Sequence, residues 1–141
     1  MPGEVRDLVY VLLIEDDAGD ALMIREALCD SSLPVWLARA RSGPHAMRFL
    51  RRPETRLPDV ILLDLGLPGR HGLQVLADLK ADPRLRAVPV VIVTASRRPG
   101  DRQRSQALGA SDYIVKPTDF DGLIAMVRRV EDILGLARSP A

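Results

Sequence analysis

Five short apolar runs punctuate the chain: LVYVLLI (8–14), VWLARA (35–40), VILLD (60–64), VPVVIVT (88–94) and DYIVK (112–116). The first, third and fourth are apolar at almost every position, the pattern of central parallel strands covered on both faces. The segments between them are amphipathic. AGDALMIREALCD is expected to be a helix with Leu22, Met23, Leu28 and Cys29 on its apolar stripe and Asp17 as its N-cap. A second helix, 44–52, stops at Pro53. A third presents Leu73, Leu76, Ala77 and Leu79 before Pro83, and a fourth, 99–108, stops at Gly109. The last, DFDGLIAMVRRVEDILGL, turns Phe120, Leu123, Ile124, Val127, Val130 and Leu134 inward. The alternation is (βα)5, and right-handed crossovers make it an open, doubly wound parallel five-stranded α/β sheet.

At 141 residues the chain is expected to form one domain, 7–134, between short tails at 1–6 and 135–141. A formal net charge of +1 points neither to nucleic acid nor to a membrane surface as partner. The single Cys29 excludes an internal disulfide and multi-cysteine metal sites, and reads as a small buried hydrophobe. MPGEVRD lacks the apolar region of a signal peptide and no run is long enough to cross a bilayer, so a cytoplasmic protein is expected. The pairs Arg51-Arg52, Arg97-Arg98 and Arg128-Arg129 read as solvated surface charge.

Chemistry collects where the strands end. In such sheets, ligands bind outside the carboxyl ends of the strands. The first run ends in Glu15-Asp16-Asp17, the third in Asp64, the fourth in Thr94, and the fifth in Lys116 followed by Pro117; the second delivers nothing comparable. With the second strand at the edge, these four tips are neighbours. Clustered carboxylates repel, by about 4 kcal/mol for two charges 4 Å apart in a protein-like medium, and a divalent cation offsets that repulsion. All the candidate ligands are hard oxygens, which suits Mg2+ and not zinc. Carboxylates, a hydroxyl and an ammonium around such an ion form a phosphoryl-transfer constellation, with Asp64 as candidate nucleophile. Neither a Walker-type loop nor GxGxxG is present.

Together, EDD after the first strand, LLDLGLPGRHG around Asp64, VTAS after the fourth and YIVKP at the fifth resemble the receiver domain of two-component response regulators. More narrowly, IEDDAGDALMIREAL, LADLKADPRLRAVPVVIVTAS and LGASDYIVKPTDFDGLIAMVRRVEDIL are similar to the stand-alone receivers that pair with bacterial and cyanobacterial phytochrome kinases. The resemblance implies a flavodoxin-like fold with strand order 2-1-3-4-5. It implies that Asp64 accepts a phosphoryl group from a sensor histidine kinase. Asp16 and Asp64 would bind Mg2+ directly, Glu15 through water, and the Gly66 carbonyl would be a further ligand. Lys116 and the Ala95 amide would contact the phosphoryl oxygens, Thr94 would add a hydroxyl, and Thr94 and Tyr113 would form the switch. Lys116 and Pro117 would be joined by a cis peptide, which proline makes inexpensive. The resemblance also implies a homodimer that signals by protein contacts, with no output domain after Leu134 and no enzymatic role beyond the protein's own phosphorylation and dephosphorylation.

Glu15 replaces the family's more common aspartate, Gly66 leaves a variable position without a side chain, and His71 stands where an aspartate is frequent. His71 and His45 read as turn and helix-start residues, and Trp36 as a packing residue. A haloacid-dehalogenase-like phosphatase also uses an aspartate nucleophile, Mg2+, a hydroxyl and a lysine. It needs a second acid two residues beyond the nucleophile, and that position is Gly66. A flavodoxin would need a hydroxyl-rich phosphate loop after the first strand, where three acids stand.

Overall fold

The apolar runs form five parallel strands, β1 (Val9–Ile14), β2 (Val35–Ala40), β3 (Val60–Leu63), β4 (Val90–Thr94) and β5 (Asp112–Val115), in the order β2-β1-β3-β4-β5. The helices are α1 (Ala18–Cys29), α2 (Gly43–Leu50), α3 (Gly72–Ala81), α4 (Pro99–Ala107) and α5 (Phe120–Ala137). The structure, a computed structural model, describes residues 8–31, 34–69 and 71–137. The expected N-terminal tail and residues 138–141 lie outside these, and α5 runs on to Ala137, past Leu134.

Alternate strand residues feed two cores. Leu12, Ile14, Ile61, Leu63, Val90, Ile92 and Tyr113 pack with Met47 and Leu50 of α2 and with Val75, Leu76 and Leu79 of α3. Val11, Leu13, Val60, Leu62, Val91, Val93 and Ile114 pack with Ile24 and Leu28 of α1 and Met126, Val127, Val130 and Leu134 of α5. Helices thus cover both faces, which is why the central runs are apolar without alternation. Each such side chain contributes roughly 1.5–3 kcal/mol by leaving water.

Three helix-face expectations are corrected. In α1 the buried stripe is Ala21, Ile24 and Leu28, while Leu22 is 55% exposed and Cys29 is also exposed. Each helical residue advances about 100°, so Leu22, one step past Ala21, turns off the seam. Phe120 begins α5 and is 73% exposed, and Met126 takes a buried place in its stead. Trp36 stacks on Tyr10 with ring centroids 4.6 Å apart, as a packing residue should. Helix ends follow the punctuation: α4 gives way at Leu108 to Gly109, whose φ of +100° lies in the left-handed region that favours glycine.

The register sets the site. Ile14 pairs with Leu63, and Leu63 with Ile92, while Thr94 pairs with Val115. Glu15 and Asp64 therefore leave adjacent strands at one level, and Lys116 emerges beside Thr94.

Candidate functional site

The acidic loop is anchored before it turns. The Glu15 amide donates to the Ala40 carbonyl at 3.0 Å, and the Asp17 amide donates to Glu15 Oε2 at 3.2 Å. Asp17 caps α1 as expected, its Oδ1 accepting from the Asp20 amide at 2.8 Å. The three consecutive acids differ in environment: Glu15 is 1% exposed, whereas Asp16 and Asp17 face solvent. Glu15, Asp16 and Asp64 each present a carboxylate oxygen, and these oxygens lie within 4.8 Å of one another. Such a set of hard oxygen donors fits a divalent cation of the Mg2+, Mn2+ or Ca2+ type.

Asp64 is held at both oxygens. Oδ1 accepts from the Gly66 amide at 3.0 Å and Oδ2 from Lys116 Nζ at 3.0 Å. Burial alone would raise its carboxyl, but the Gly66 amide, Lys116 and the Thr94 hydroxyl together hold it below the usual carboxylate range. Glu15 goes the other way: desolvation dominates and pushes it up to about 7, against the pull of Lys116. Lys116 Nζ lies 2.8 Å from Glu15 Oε1 and 2.7 Å from Asp20 Oδ2, so one ammonium sits among three carboxylates. Burial opposes its charge, yet contacts with Asp20, Glu15 and Asp64 raise its pKa overall. The Lys116–Pro117 peptide is trans, as are all peptides among the described residues. This corrects the expected cis bond; an ordinary trans X–Pro linkage is favoured by roughly 0.5–1 kcal/mol, and Lys116 reaches all three acids from it.

Thr94 and Tyr113 meet through one residue. The Ser96 amide reaches Thr94 Oγ1 at 3.4 Å, and the Ser96 carbonyl accepts from the Tyr113 hydroxyl at 2.9 Å. Ser96 Oγ donates to Asp101 Oδ2, and Asp101 is held in turn by Arg104 at 2.7 Å. The Tyr113 ring is 2% exposed and lies beneath the Arg102 guanidinium, 4.8 Å from its centroid. Ala95 and Gly66 join Glu15, Asp16, Asp64 and Lys116 in lining a cleft of about 650 Å3.

Four residues take roles that the sequence pattern does not assign them, His71 among them although it is expected at a turn. Asp20, one turn into α1, reaches Lys116; only the helix start at Asp17 could have suggested it. Arg39 makes β2 a contributor after all, as its guanidinium holds the carbonyls of Glu15 and Asp16. His71 is the N-cap of α3, its Nδ1 accepting from the Leu73 amide at 3.1 Å. Gly72 sits where a Cβ would fall 2.4 Å from the Asp64 carbonyl oxygen, so α3 can start against the Asp64 loop only with glycine there. Gly66 supplies an amide to Asp64 where the phosphatase alternative needs a second acid.

Comparison with known proteins agrees with this geometry. The chain is 35% identical over 141 residues to the probable methanogenesis regulatory protein FilR2 of Methanothrix harundinacea, covering 97% of this chain and 91% of that one. It is 35% identical over 125 residues to the response regulator Rcp1 of Synechocystis, covering 86% and 85%. The solved structure of the phosphorylated cyanobacterial phytochrome response regulator RcpA superposes with a TM-score of 0.81 at 36% identity, over 90% of this chain and 94% of that one. The Mn(2+)-bound form of Rcp1 gives 0.80 at 32%, over 94% and 96%. Residues 11–128 match the response regulator receiver domain, and with the strand order and acidic cluster in place the chain belongs to that family.

Proposed function

We propose that Asp64 is the phosphoacceptor of a two-component relay. The observation that carries this is the convergence on Asp64 of Lys116, the Thr94 hydroxyl and the Glu15–Asp16 carboxylates. An Asp64 oxygen attacks the phosphorus of a phosphohistidine on a sensor kinase, and the P–N bond breaks with its electron pair returning to the imidazole. Asp16 and Asp64 would hold Mg2+, with Glu15 behind them and the Gly66 carbonyl as a further ligand. The ion would supply charge neutralisation for the incoming phosphoryl oxygens. Lys116, the Ala95 amide and Thr94 then receive those oxygens. Similarity to RcpA supports a phytochrome-type histidine kinase as the donor. Acetyl phosphate with Mg2+ is expected to phosphorylate the wild type, and chelator or Asp64→Asn to abolish the product seen by mass spectrometry. Full labelling of Asp64→Asn would overturn the assignment.

The signal would leave through Ser96. A phosphoryl oxygen drawing on Thr94 shifts a loop to which the Tyr113 hydroxyl is tied, and α4 with β5 and α5 forms the surface that changes. A homodimer or the kinase would meet that surface. Thr94→Ala and Tyr113→Ala are therefore expected to be strongly non-additive in their effect on the change in dimer or kinase affinity caused by beryllofluoride. Simple addition of the two losses would place the switch elsewhere.

A further inference from the structure

We infer that Arg39 is a positioning residue for the cation site, holding the Glu15–Asp16 backbone so that the Asp16 carboxylate stays within reach of Asp64. The inference rests on the function proposed above and concerns a residue from the edge strand, away from the four tips that carry the chemistry.

The geometry is a two-point clamp. Arg39 Nε donates to the Glu15 carbonyl at 3.0 Å and a terminal nitrogen to the Asp16 carbonyl at 2.9 Å. Two donors in the rigid plane of one guanidinium hold two consecutive peptide units in a preset geometry, whereas the donors of an ammonium rotate on a flexible stem. Asp16 needs this. Its carboxylate is exposed and, among the described residues, takes no hydrogen bond from a side chain or amide, so its place follows from its backbone. Glu15 is fixed separately, by burial, by the Asp17 amide and by Lys116. Asp17 is committed to capping α1. The like charges of Glu15 and Asp64 repel Asp16 away from the cluster, and the clamp on its carbonyl resists that motion. Partners that orient ligands in this way typically change metal affinity by 10–100-fold when removed.

The sign of the effect separates positioning from simple electrostatics. Arg39 is a cation held on the backbone carbonyls of Glu15 and Asp16, so if it acted only through its charge, removing it would tighten binding of a divalent ion. Positioning requires the opposite. Mn2+ binding, followed by electron paramagnetic resonance, and Mg2+ binding, followed by calorimetry, are to be measured on the wild type, Arg39→Ala, Arg39→Lys and Lys116→Met. Arg39→Ala is expected to weaken both ions about tenfold or more. Arg39→Lys keeps the charge but not the fork, and is expected to fall nearer to Ala than to wild type. Lys116→Met should bind more tightly, marking the direction of a pure charge effect. Melting in chelator reports folding separately, and Arg39→Lys serves if Arg39→Ala does not fold. Unchanged or tighter binding in folded Arg39 variants overturns the positioning role while leaving the phosphoacceptor assignment intact. A wild type that binds neither ion overturns both.

Discussion

Replacing Lys116 with methionine is expected to destabilise the protein by about 3 kcal/mol at pH 8 in chelator, at the lower end of the range for removing one partner of a buried charge pair. The Lys116 side chain is 14% exposed and contacts Glu15, Asp20 and Asp64. Asp64 keeps its Gly66 amide and Thr94 hydroxyl when the lysine is gone, but Glu15 keeps only the Asp17 amide. The cost should therefore fall on Glu15 and shrink as the pH drops and that carboxyl takes up a proton. Urea denaturation at pH 8 and pH 5 measures both values. A loss that is small, or equal at the two pH values, would mean that the lysine contributes little to holding the acids together. The same variant should lose its beryllofluoride response, since the phosphoryl oxygens lose their fixed cation.

Glu15→Gln should change the pH dependence of stability in a defined window. The Glu15 carboxyl is raised from 4.5 to about 7, with burial the main cause. The folded state therefore binds the proton more tightly than the unfolded chain. The associated stability is fully present below about pH 4.5 and is lost as the pH climbs through about 7. A gap of this size corresponds to roughly 3 kcal/mol. The depressed Asp64 and Asp101 contribute stability that is lost in the acid range below this window, and the raised Lys116 contributes stability that is lost only in the alkaline range. In chelator, wild type should lose stability between pH 5 and 8 and Glu15→Gln should stay nearly level, overtaking it at pH 8. Mg2+ should restore the wild type at pH 8 and do little for the variant. A wild-type profile that is flat in chelator would show that internal partners already compensate the buried charge.

The acid cluster shows how far residue order alone reaches. EDD at a strand end, Asp64, Thr94 and Lys116 at three others were legible because apolar runs in a parallel sheet must be covered on both faces, and their carboxyl ends must then converge. The two-sided core follows from the same pattern, whereas the sheet order was implied by the resemblance to receiver domains. The environment of each acid does not. Adjacent in sequence, Glu15 turns into the sheet's end and is buried, Asp16 faces the cleft, and Asp17 spends its carboxylate on the helix. Those differences arise from how the chain turns after Ile14.

Helix phase was legible only in part. Leu22 and Phe120 are apolar at plausible spacings, yet they fall outside the seams because a helix's rotation is set by what it packs against. The trans Lys116–Pro117 bond likewise departs from what the motif implied. Asp20 and Gly72 lie within the quoted motif stretches and Arg39 outside them, but the motifs assign none of the three a role, since those roles depend on distances across the fold. Asp20 meets Lys116 across 96 positions of sequence, Arg39 reaches back 24 residues to Glu15, and Gly72 makes room for a carbonyl eight positions earlier. Local pattern determined which strand tips would hold charge. Tertiary packing alone decided which of those charges are buried, which are paired, and which backbone groups hold them in place, because burial and pairing are properties of neighbours that the linear order does not bring together.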